Sequence, residues 1–273
     1  MNQGWGVLRL LFGPSRARSV VLVLTGSFLL WEVGVFVFKP PIFLLPPPSI
    51  ILAMLLDDIP FYANHAKYTL EACLLGFFIA VTVGVIAAIG IVYSRVLEST
   101  LYTLLVALNS IPKIALAPLF IIWMGTGLGP RVAVSATIAL WAIVIDTVLG
   151  LRSVKPDMLD MARSMRATPL QVLYRIRLPN ALPSMFAGMK VAISMALVGV
   201  IVGEFVTSEA GLGYTILSAQ GTFNIPMVFV SVILLGVLGT ALFYVIDLIE
   251  RLVIPWHVSH RASTPVVVSG HDG

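Results

Sequence analysis

Charged side chains are rare inside the long apolar stretches of this 273-residue sequence, and the few that occur there could contact a polar solute. An ionisable group within a bilayer is energetically costly, so it usually faces a cavity or a charged partner. Pro112 interrupts one apolar stretch just before Lys113, and a helix broken by proline can expose backbone groups to such a cavity. We therefore predict a substrate pathway across a membrane. Its candidate residues are Asn109, Ser110, Lys113, Asp146 and Glu204.

The same charged residues have alternative roles. Lys113 could pair with Asp146 or lie at the membrane interface, and Glu204 stands near the end of an apolar stretch, where it could anchor that edge. The isolated carboxylates of Glu32, Asp146 and Glu204 could also relay protons. The closely spaced histidines of the C-terminal tail have no cysteine nearby, so the sequence predicts no metal site.

A polar and basic segment interrupts the apolar sequence at 157–183 and reads DMLDMARSMRATPLQVLYRIRLPNALP. Thr168 and Gln171 have the spacing of a capping box, which predicts the start of a helix. Pro179 is expected to end that helix. We predict two short helices joined by a tight turn near Arg166.

The second of these short helices has an apolar side formed by Leu170, Leu173 and Tyr174. A helix of about nine residues is marginally stable alone, so it needs a surface on which to dock. That surface could belong to another protein. Alternatively, the loop could pack on its own bundle, with its arginines at the phospholipid surface.

Composition indicates an integral membrane protein. Hydrophobic residues make up 59% of the chain and charged residues 11%, whereas soluble domains carry roughly 25% charged residues. Several apolar stretches reach the about 20 helical residues that cross a hydrocarbon core. We predict an all-α polytopic membrane protein with about six transmembrane helices. The predicted spans are 19–38, 66–93, 97–124, 131–151, 184–206 and 226–248.

Two proline-rich stretches divide this pattern. Pro112 and Pro118 are expected to break the third span. The prolines of 39–65 cannot continue a helix, so this segment is predicted to be an extramembrane connection.

Basic residues indicate the orientation of the chain. With a cytoplasmic N-terminus, most Lys and Arg residues fall on the cytoplasmic side, and only Lys39, Lys67 and Arg131 fall on the other. The net charge of +4 is therefore explained by topology and predicts no nucleic-acid partner. We predict that both termini are cytoplasmic. The predicted parts are a segment 1–18, a transmembrane domain 19–256 with a cytoplasmic region 152–183, and a polar tail 257–273.

Small residues recur along one side of the second and fifth spans, a pattern that lets another helix approach closely. We predict close helix packing along both ridges, and the alternative is that a ridge lines a solute path. The ridges are Gly76, Ala80, Gly84 and Ala88, and then Gly188, Ala192, Ala196, Gly199 and Gly203.

The polar segment resembles the EAA motif of ABC importer permeases. That motif has Glu-Ala-Ala, then a glycine after three residues, then Ile-x-Leu-Pro after nine more. Asp160-Met161-Ala162, Arg166 and Ile176-Arg177-Leu178-Pro179 stand at these spacings. Aspartate thus replaces glutamate, methionine replaces alanine, and arginine replaces glycine.

Further motifs are similar to those of the permease subgroup for nitrate, sulfonates, taurine and pyrimidine precursors. They lie within 109–257, more than half of the chain. They are Pro112-Lys113 with Ala117-Pro118-Leu119, Trp123, Gly203-Glu204-Phe205, Gly211-Leu212-Gly213, and Glu250-Arg251 with Pro255-Trp256-His257.

The resemblance implies a permease subunit of an ATP-driven importer in a bacterial inner membrane, with cytoplasmic coupling helices between spans four and five. It implies contacts with a separate ATPase, which would bind ATP and Mg²⁺, because this sequence contains no G-x-x-x-x-G-K-[ST] loop. The implied partners also include an external solute-binding protein and a second permease copy. The substrate would be a small anion, a sulfonate or a heterocyclic vitamin precursor. The implied coupling residues are Asp160, Ala162, Arg166, Leu173, Ile176, Leu178 and Pro179.

The sequence also bears on two other classes of membrane protein. An intramembrane enzyme usually needs paired carboxylates or clustered histidines, but Asp146 and Glu204 lie on different predicted spans and no span contains a histidine. The chain is therefore predicted not to be an enzyme. A proton-coupled secondary transporter is the alternative, and transport without any ATPase would distinguish it.

Overall fold

The computed structural model describes residues 14–94, 96–100, 107, 111–207 and 209–255. These residues contain helices and no β-strand, which confirms the predicted all-α class. In chain order the α-helices are α1 (Pro14–Phe38), α2 (Pro48–Asp57), α3 (Ile59–Tyr93), α4 (Ala117–Met124), α5 (Leu128–Arg152), α6 (Pro156–Ser164), α7 (Pro169–Val172), α8 (Leu178–Thr207), α9 (Leu212–Gly221) and α10 (Ile225–Val253).

Four helices are long and apolar enough to cross a bilayer, and they correspond to the second, fourth, fifth and sixth predicted spans. They are Ile59–Tyr93, Leu128–Arg152, Pro169–Val206 and Ile225–Val253. The first predicted span lies in α1, a 25-residue helix whose Leu22–Phe38 part is a shorter apolar stretch.

The third predicted span is described only in part, and its predicted break is confirmed. After Pro112 the chain forms a short 3₁₀ helix, Lys113–Leu116, and then α4. Pro118 stands in the first turn of α4, where a missing N–H costs no hydrogen bond, so this proline begins a helix. As expected, the prolines of 39–65 do not continue a helix, because α1 ends at Phe38 before them. Like Pro118, however, one of these prolines begins a new helix. Pro48 is the first residue of α2, and α3 follows at Ile59.

The expected end of a helix at Pro179 is also wrong. Pro169–Val206 is one continuous helix of 38 residues that contains α7, a π-helical segment Leu173–Arg177 and almost all of α8. In the π-helical segment the Leu178 N–H donates to the carbonyl of Leu173, five residues back. This extra residue in the turn changes the hydrogen-bond pattern directly before Pro179, so the helix passes the proline without ending.

The chain divides into two compact units. The first is drawn from Met1–Ala63 with Thr215–Ile233, and the second from Asn64–Tyr214 with Leu234–Gly273. In the first unit, Glu32 accepts hydrogen bonds from the backbone N–H (3.0 Å) and hydroxyl (2.7 Å) of Ser49 at the start of α2. Glu32 therefore has a local structural partner.

The core of the second unit is formed where α3 and α8 both pack on α5. A Cβ atom added to Gly76 would overlap the Ser135 side chain, and one added to Gly199 would lie 2.6 Å from the Ser135 Cα atom. Gly84 approaches Ile143 in the same way. The Ser135 hydroxyl donates to the carbonyl of Ala196 at 3.0 Å. These contacts confirm the predicted close packing, because any larger residue at the glycines would separate the helices.

Candidate functional site

The predicted tight turn is present, and its backbone is left-handed at Arg166, with φ of +54°. The Arg166 N–H donates to the carbonyl of Arg163 (2.9 Å), and the Ala167 N–H donates to that of Ala162 (3.0 Å). This pair of bonds is a Schellman motif, which closes the end of α6. Glycine normally occupies the left-handed position, because an L side chain there costs about 1–2 kcal/mol. Glycine at this position of the EAA motif would therefore adopt the left-handed backbone without the strain that a side chain causes.

The predicted capping box at the start of α7 is confirmed. The Gln171 N–H donates to the Thr168 hydroxyl at 3.3 Å, and the Thr168 N–H donates to Oε1 of Gln171 at 2.8 Å. Two N–H groups of a four-residue helix are thus satisfied by adjacent side chains. The turn and the cap together hold α6 and α7 as one hairpin.

Large apolar side chains on this hairpin are exposed to a degree unusual outside a membrane. Met165 is 75% exposed, and Leu170 and Tyr174 are each 63% exposed. Exposed apolar patches of this kind mark interaction sites. We call this surface the coupling face and define it as Met158, Met161, Met165, Leu170 and Tyr174.

The predicted apolar side of the second helix is divided between two directions. Leu173 is buried in a cluster with Leu151, Ala181 and Met185, whereas Leu170 and Tyr174 are exposed. The expectation that Leu173 docks with these two neighbours on one apolar side is therefore corrected. A π-helical turn begins at Leu173 and rotates the following residues relative to those of α7.

The other predicted coupling residues occupy varied surroundings. Ala162 is buried, Ile176 and Leu178 are half-buried, and Pro179 is exposed. Asp160 is exposed and pairs with Arg163 at 3.0 Å. A cavity of about 390 Å³ lies between α6 and α7 beside the coupling face. It is lined by Met161, Ala162, Met165, Ala167, Gln171, Val172, Arg175 and Ile176.

Several contacts attach the hairpin to the helix bundle. The Arg177 guanidinium lies over the Tyr93 ring, 5.4 Å from its centroid, and donates to the carbonyl of Leu151 at 3.3 Å. The Tyr93 hydroxyl donates to the carbonyl of Pro169 at 3.2 Å. Movement of the hairpin would therefore be transmitted directly to α3 and α5.

Glu204 lies in a buried polar cluster at the opposite end of α8 and is 1% exposed. Its carboxylate accepts hydrogen bonds from the Thr69 hydroxyl (2.8 Å) and from the Gly213 N–H (2.7 Å). The Arg131 guanidinium is 4.0 Å away. Gly211, at φ of +120°, packs so closely on this carboxylate that a Cβ atom there would overlap it.

The same cluster fixes the start of α9. The Thr69 hydroxyl accepts from the Leu212 N–H at 2.8 Å, and His65 Nδ1 accepts from the Gly211 N–H at 2.9 Å. Sequence reasoning missed the roles of His65 and Thr69, because their partners are far away in the chain. The geometry gives Glu204 a structural role, and its role in a pathway stays a prediction.

The structure locates two of the four remaining pathway candidates. Asn109 and Ser110 lie outside the described residues. Lys113 is half-buried in the 3₁₀ helix, and Asp146 is half-buried in α5 beside Gly188. Asp146 lies about 22 Å along α5 from Arg131, which faces Glu204. Asp146 and Glu204 therefore belong to different levels of the bundle.

A second ionic cluster, between α8 and α10, was also missed. Lys190 Nζ lies 2.5 Å from carboxylate oxygens of both Asp247 and Glu250, and Arg251 Nε lies 2.9 Å from Asp247. The sequence did contain a signal, since Asp247 and Glu250 are three residues apart near the end of a span and Lys190 is an intramembrane cation.

Comparisons with known proteins agree with this architecture. Residues 80–256 match the family model for the binding-protein-dependent transport system inner membrane component. The chain is 34% identical to the riboflavin transport system permease protein RibX of Chloroflexus aurantiacus, covering 90% of this chain and 92% of that one. It is 31% identical to the formylaminopyrimidine transport permease protein ThiX of Halalkalibacterium halodurans, covering 83% and 91%.

A solved structure supports the fold. The inward-facing MetNI methionine ABC transporter matches with a TM-score of 0.65 at 20% identity, covering 72% of this chain and 98% of that one. The family match extends over most of the described bundle, including the hairpin with the coupling face. The chain belongs to the family of binding-protein-dependent transport system inner membrane components, as a permease subunit of an ABC importer.

Proposed function

We propose that the hairpin of α6 and α7 couples this permease to a separate cytoplasmic ATPase, which binds ATP and Mg²⁺. The coupling face carries the proposal, because it leaves five large apolar side chains uncovered on a hairpin that is otherwise capped and anchored. The residues that match the EAA motif lie in the same hairpin and at its junction with α8. Closure of the ATPase would move the hairpin, and the contacts of Arg177 and Tyr93 would pass that movement to the bundle.

The length of the helix from Pro169 to Val206 favours a protein partner over lipid. Its 38 residues extend about 56 Å at 1.5 Å each. A bilayer with its headgroups is about 40–45 Å thick. If Val206 lies at one membrane surface, Pro169 lies roughly 10 Å beyond the opposite headgroups. Lipid would therefore not cover the coupling face.

The excess of basic residues at this end supports a cytoplasmic hairpin and cytoplasmic termini in a bacterial inner membrane. An external solute-binding protein would deliver substrate on the side of the membrane opposite the hairpin. A second permease copy would complete the pathway across a two-fold axis, since one chain encloses half of it. Lys113 and Asp146, with Asn109 and Ser110, remain the proposed polar residues of that pathway.

The substrate we propose is a small solute of the anion, sulfonate or heterocyclic vitamin-precursor class. The names of the two relatives support the heterocyclic class, because one concerns riboflavin and the other formylaminopyrimidine. The external binding protein would make most of the selection among such solutes. Binding measurements on that protein would identify the substrate.

Aspartate substitution on the coupling face tests the proposal. Leu170→Asp and Tyr174→Asp place a charge on exposed positions, so the permease should fold normally while solute-stimulated ATP hydrolysis and uptake in proteoliposomes are lost. Lys67→Asp, an exposed charge change on α3 far from the hairpin in sequence, is the control. Normal coupling in both coupling-face variants would contradict the proposal. Uptake driven by a proton gradient without any ATPase would support a secondary transporter instead.

A further inference from the structure

The backbone of Arg166 has an unfavourable conformation, and its side chain has no hydrogen-bond partner among the described residues. Its φ of +54° lies where glycine is favoured, and its guanidinium is exposed at the tip of the turn. Within the part of the chain that the structure describes, no group accepts a hydrogen bond from that guanidinium. Nothing within the described residues therefore compensates for having arginine at this position.

Three nearby arginines differ from Arg166 in this respect, whereas the exposed Arg175 also has no hydrogen-bond or ion-pair partner among the described residues; its backbone, however, is helical. Arg163 pairs with Asp160 at 3.0 Å, and Arg152 pairs with Glu98 at 2.6 Å. Arg177 contacts the Tyr93 ring and a backbone carbonyl. Arg166 instead is exposed and directly follows Met165 of the coupling face in the chain.

We propose that Arg166 is a recognition residue, which pairs with a carboxylate on the cognate ATPase and so determines which ATPase this permease accepts. This inference rests on the proposed coupling function. A guanidinium presents N–H groups in a fixed fork that matches a carboxylate, and an interface lined by methionine side chains would exclude water around the pair. Such a contact in the complex would compensate for the left-handed backbone of Arg166.

The partner we infer is a protein carboxylate and not a lipid phosphate. With Val206 at the opposite membrane surface, the start of α7, close to Arg166 in the chain, would lie roughly 10 Å beyond the headgroup layer. A phosphate at the membrane surface would be out of reach of this turn. The first test below therefore includes membranes with and without anionic lipid.

Replacement of Arg166 by glycine tests the contribution of its side chain separately from that of its backbone conformation. Arg166→Gly removes the guanidinium and relieves the backbone strain, so the permease itself should be as stable as wild type or more stable. Its affinity for the co-purifying ATPase should fall at least about tenfold. The measurement uses full-length permease in phosphatidylcholine nanodiscs prepared with and without phosphatidylglycerol. Lys39→Gly is the matched control, because Lys39 also has a left-handed backbone, φ of +45°, at the end of α1.

Three results of this experiment would overturn the inference. The first is an unchanged affinity of Arg166→Gly for the ATPase. The second is an equal loss in Lys39→Gly, which would attribute the effect to the backbone. The third is a loss that occurs only in nanodiscs containing phosphatidylglycerol, which would assign the arginine to a lipid headgroup.

A second variant identifies the partner group. Arg166→Lys places a primary amine at the same position, and a carbodiimide joins amines to carboxylates without a spacer. We expect a cross-link between permease and ATPase, located by mass spectrometry at an Asp or Glu of the ATPase. Wild-type permease, which retains Lys155 nearby, measures the background. An assembled complex without additional cross-linking in the variant would contradict the inference.

Failure of this inference is distinguishable from failure of the proposed function. If Leu170→Asp and Tyr174→Asp abolish ATPase binding but Arg166→Gly does not, the hairpin couples without Arg166 recognition. If none of the three variants weakens binding, the coupling assignment itself is wrong.

Discussion

The two ends of the 38-residue helix Pro169–Val206 differ in which side chains are buried and which are exposed. At its start, large apolar side chains are exposed and Arg166 has no partner within the described residues. At its other end, the Glu204 carboxylate is buried with an arginine, a hydroxyl and a backbone N–H around it. The polar groups at the Glu204 end have their partners within this chain. The exposed apolar side chains at the Pro169 end are suited to contact with a second protein.

Two short helices show the same contrast in their caps. The first turn of α7 is capped by Thr168 and Gln171, which are its own neighbours in sequence. The first turn of α9 is capped by Thr69 and Glu204, which come from α3 and α8. A local cap lets a hairpin keep its shape while it moves, whereas a cap from remote helices fixes the start of α9 to the bundle.

Removal of the buried carboxylate should have the largest effect on stability. Glu204→Ala would leave the Arg131 charge and two hydrogen-bond donors buried without their acceptor, which costs about 3–5 kcal/mol. We expect a fall in the unfolding temperature of the detergent-solubilised permease of roughly 10 °C. Glu71→Ala, at an exposed position of α3, is the control. Equal stability of the two variants would show that the buried cluster contributes little.

A pair of leucines at the coupling end should give the next largest difference. Leu173 is 8% exposed in the core, so Leu173→Ala should cost about 2–5 kcal/mol. Leu170 is 63% exposed, and Leu170→Ala should change stability by at most about 0.5 kcal/mol. Chemical denaturation of the two variants measures the difference. Similar losses would mean that Leu170 also packs on the bundle, which would contradict the open coupling face.

The features that sequence analysis predicted are those in which the interacting residues are close in the chain. The capping box, the tight turn at Arg166 and the helix break after Pro112 depend on neighbours within about one helical turn, so spacing alone reveals them. The small-residue ridges also follow from a single helix, since their period fixes one face.

The features that sequence analysis missed depend on contacts between distant segments or on altered helical geometry. Thr69 and Glu204 are 135 residues apart in the sequence, and no local sequence pattern indicates that they interact. Pro179 was misjudged because a π-helical turn just before it changes the hydrogen-bond pattern that a proline would otherwise break. Leu173 was placed with Leu170 and Tyr174 because a regular helical period was assumed.

The two caps provide the smallest and most discriminating test of the comparison. Thr168→Ala removes the local cap and should cost about 1 kcal/mol, mostly as local opening of α7. Thr69→Val removes the remote cap while keeping its shape. It removes one of the hydrogen bonds to the buried Glu204 and the hydroxyl that accepts from the Leu212 N–H, so we expect a cost of about 2–3 kcal/mol. Hydrogen exchange should rise only in α7 for the first variant. For the second, exchange should rise at the start of α9 and the unfolding temperature should fall.

Because α7 lies in the hairpin with the coupling face, Thr168→Ala should also weaken ATPase stimulation, which Thr69→Val would do only through reduced stability. If the two variants gave the same exchange pattern, the ends of the helix would not be independent.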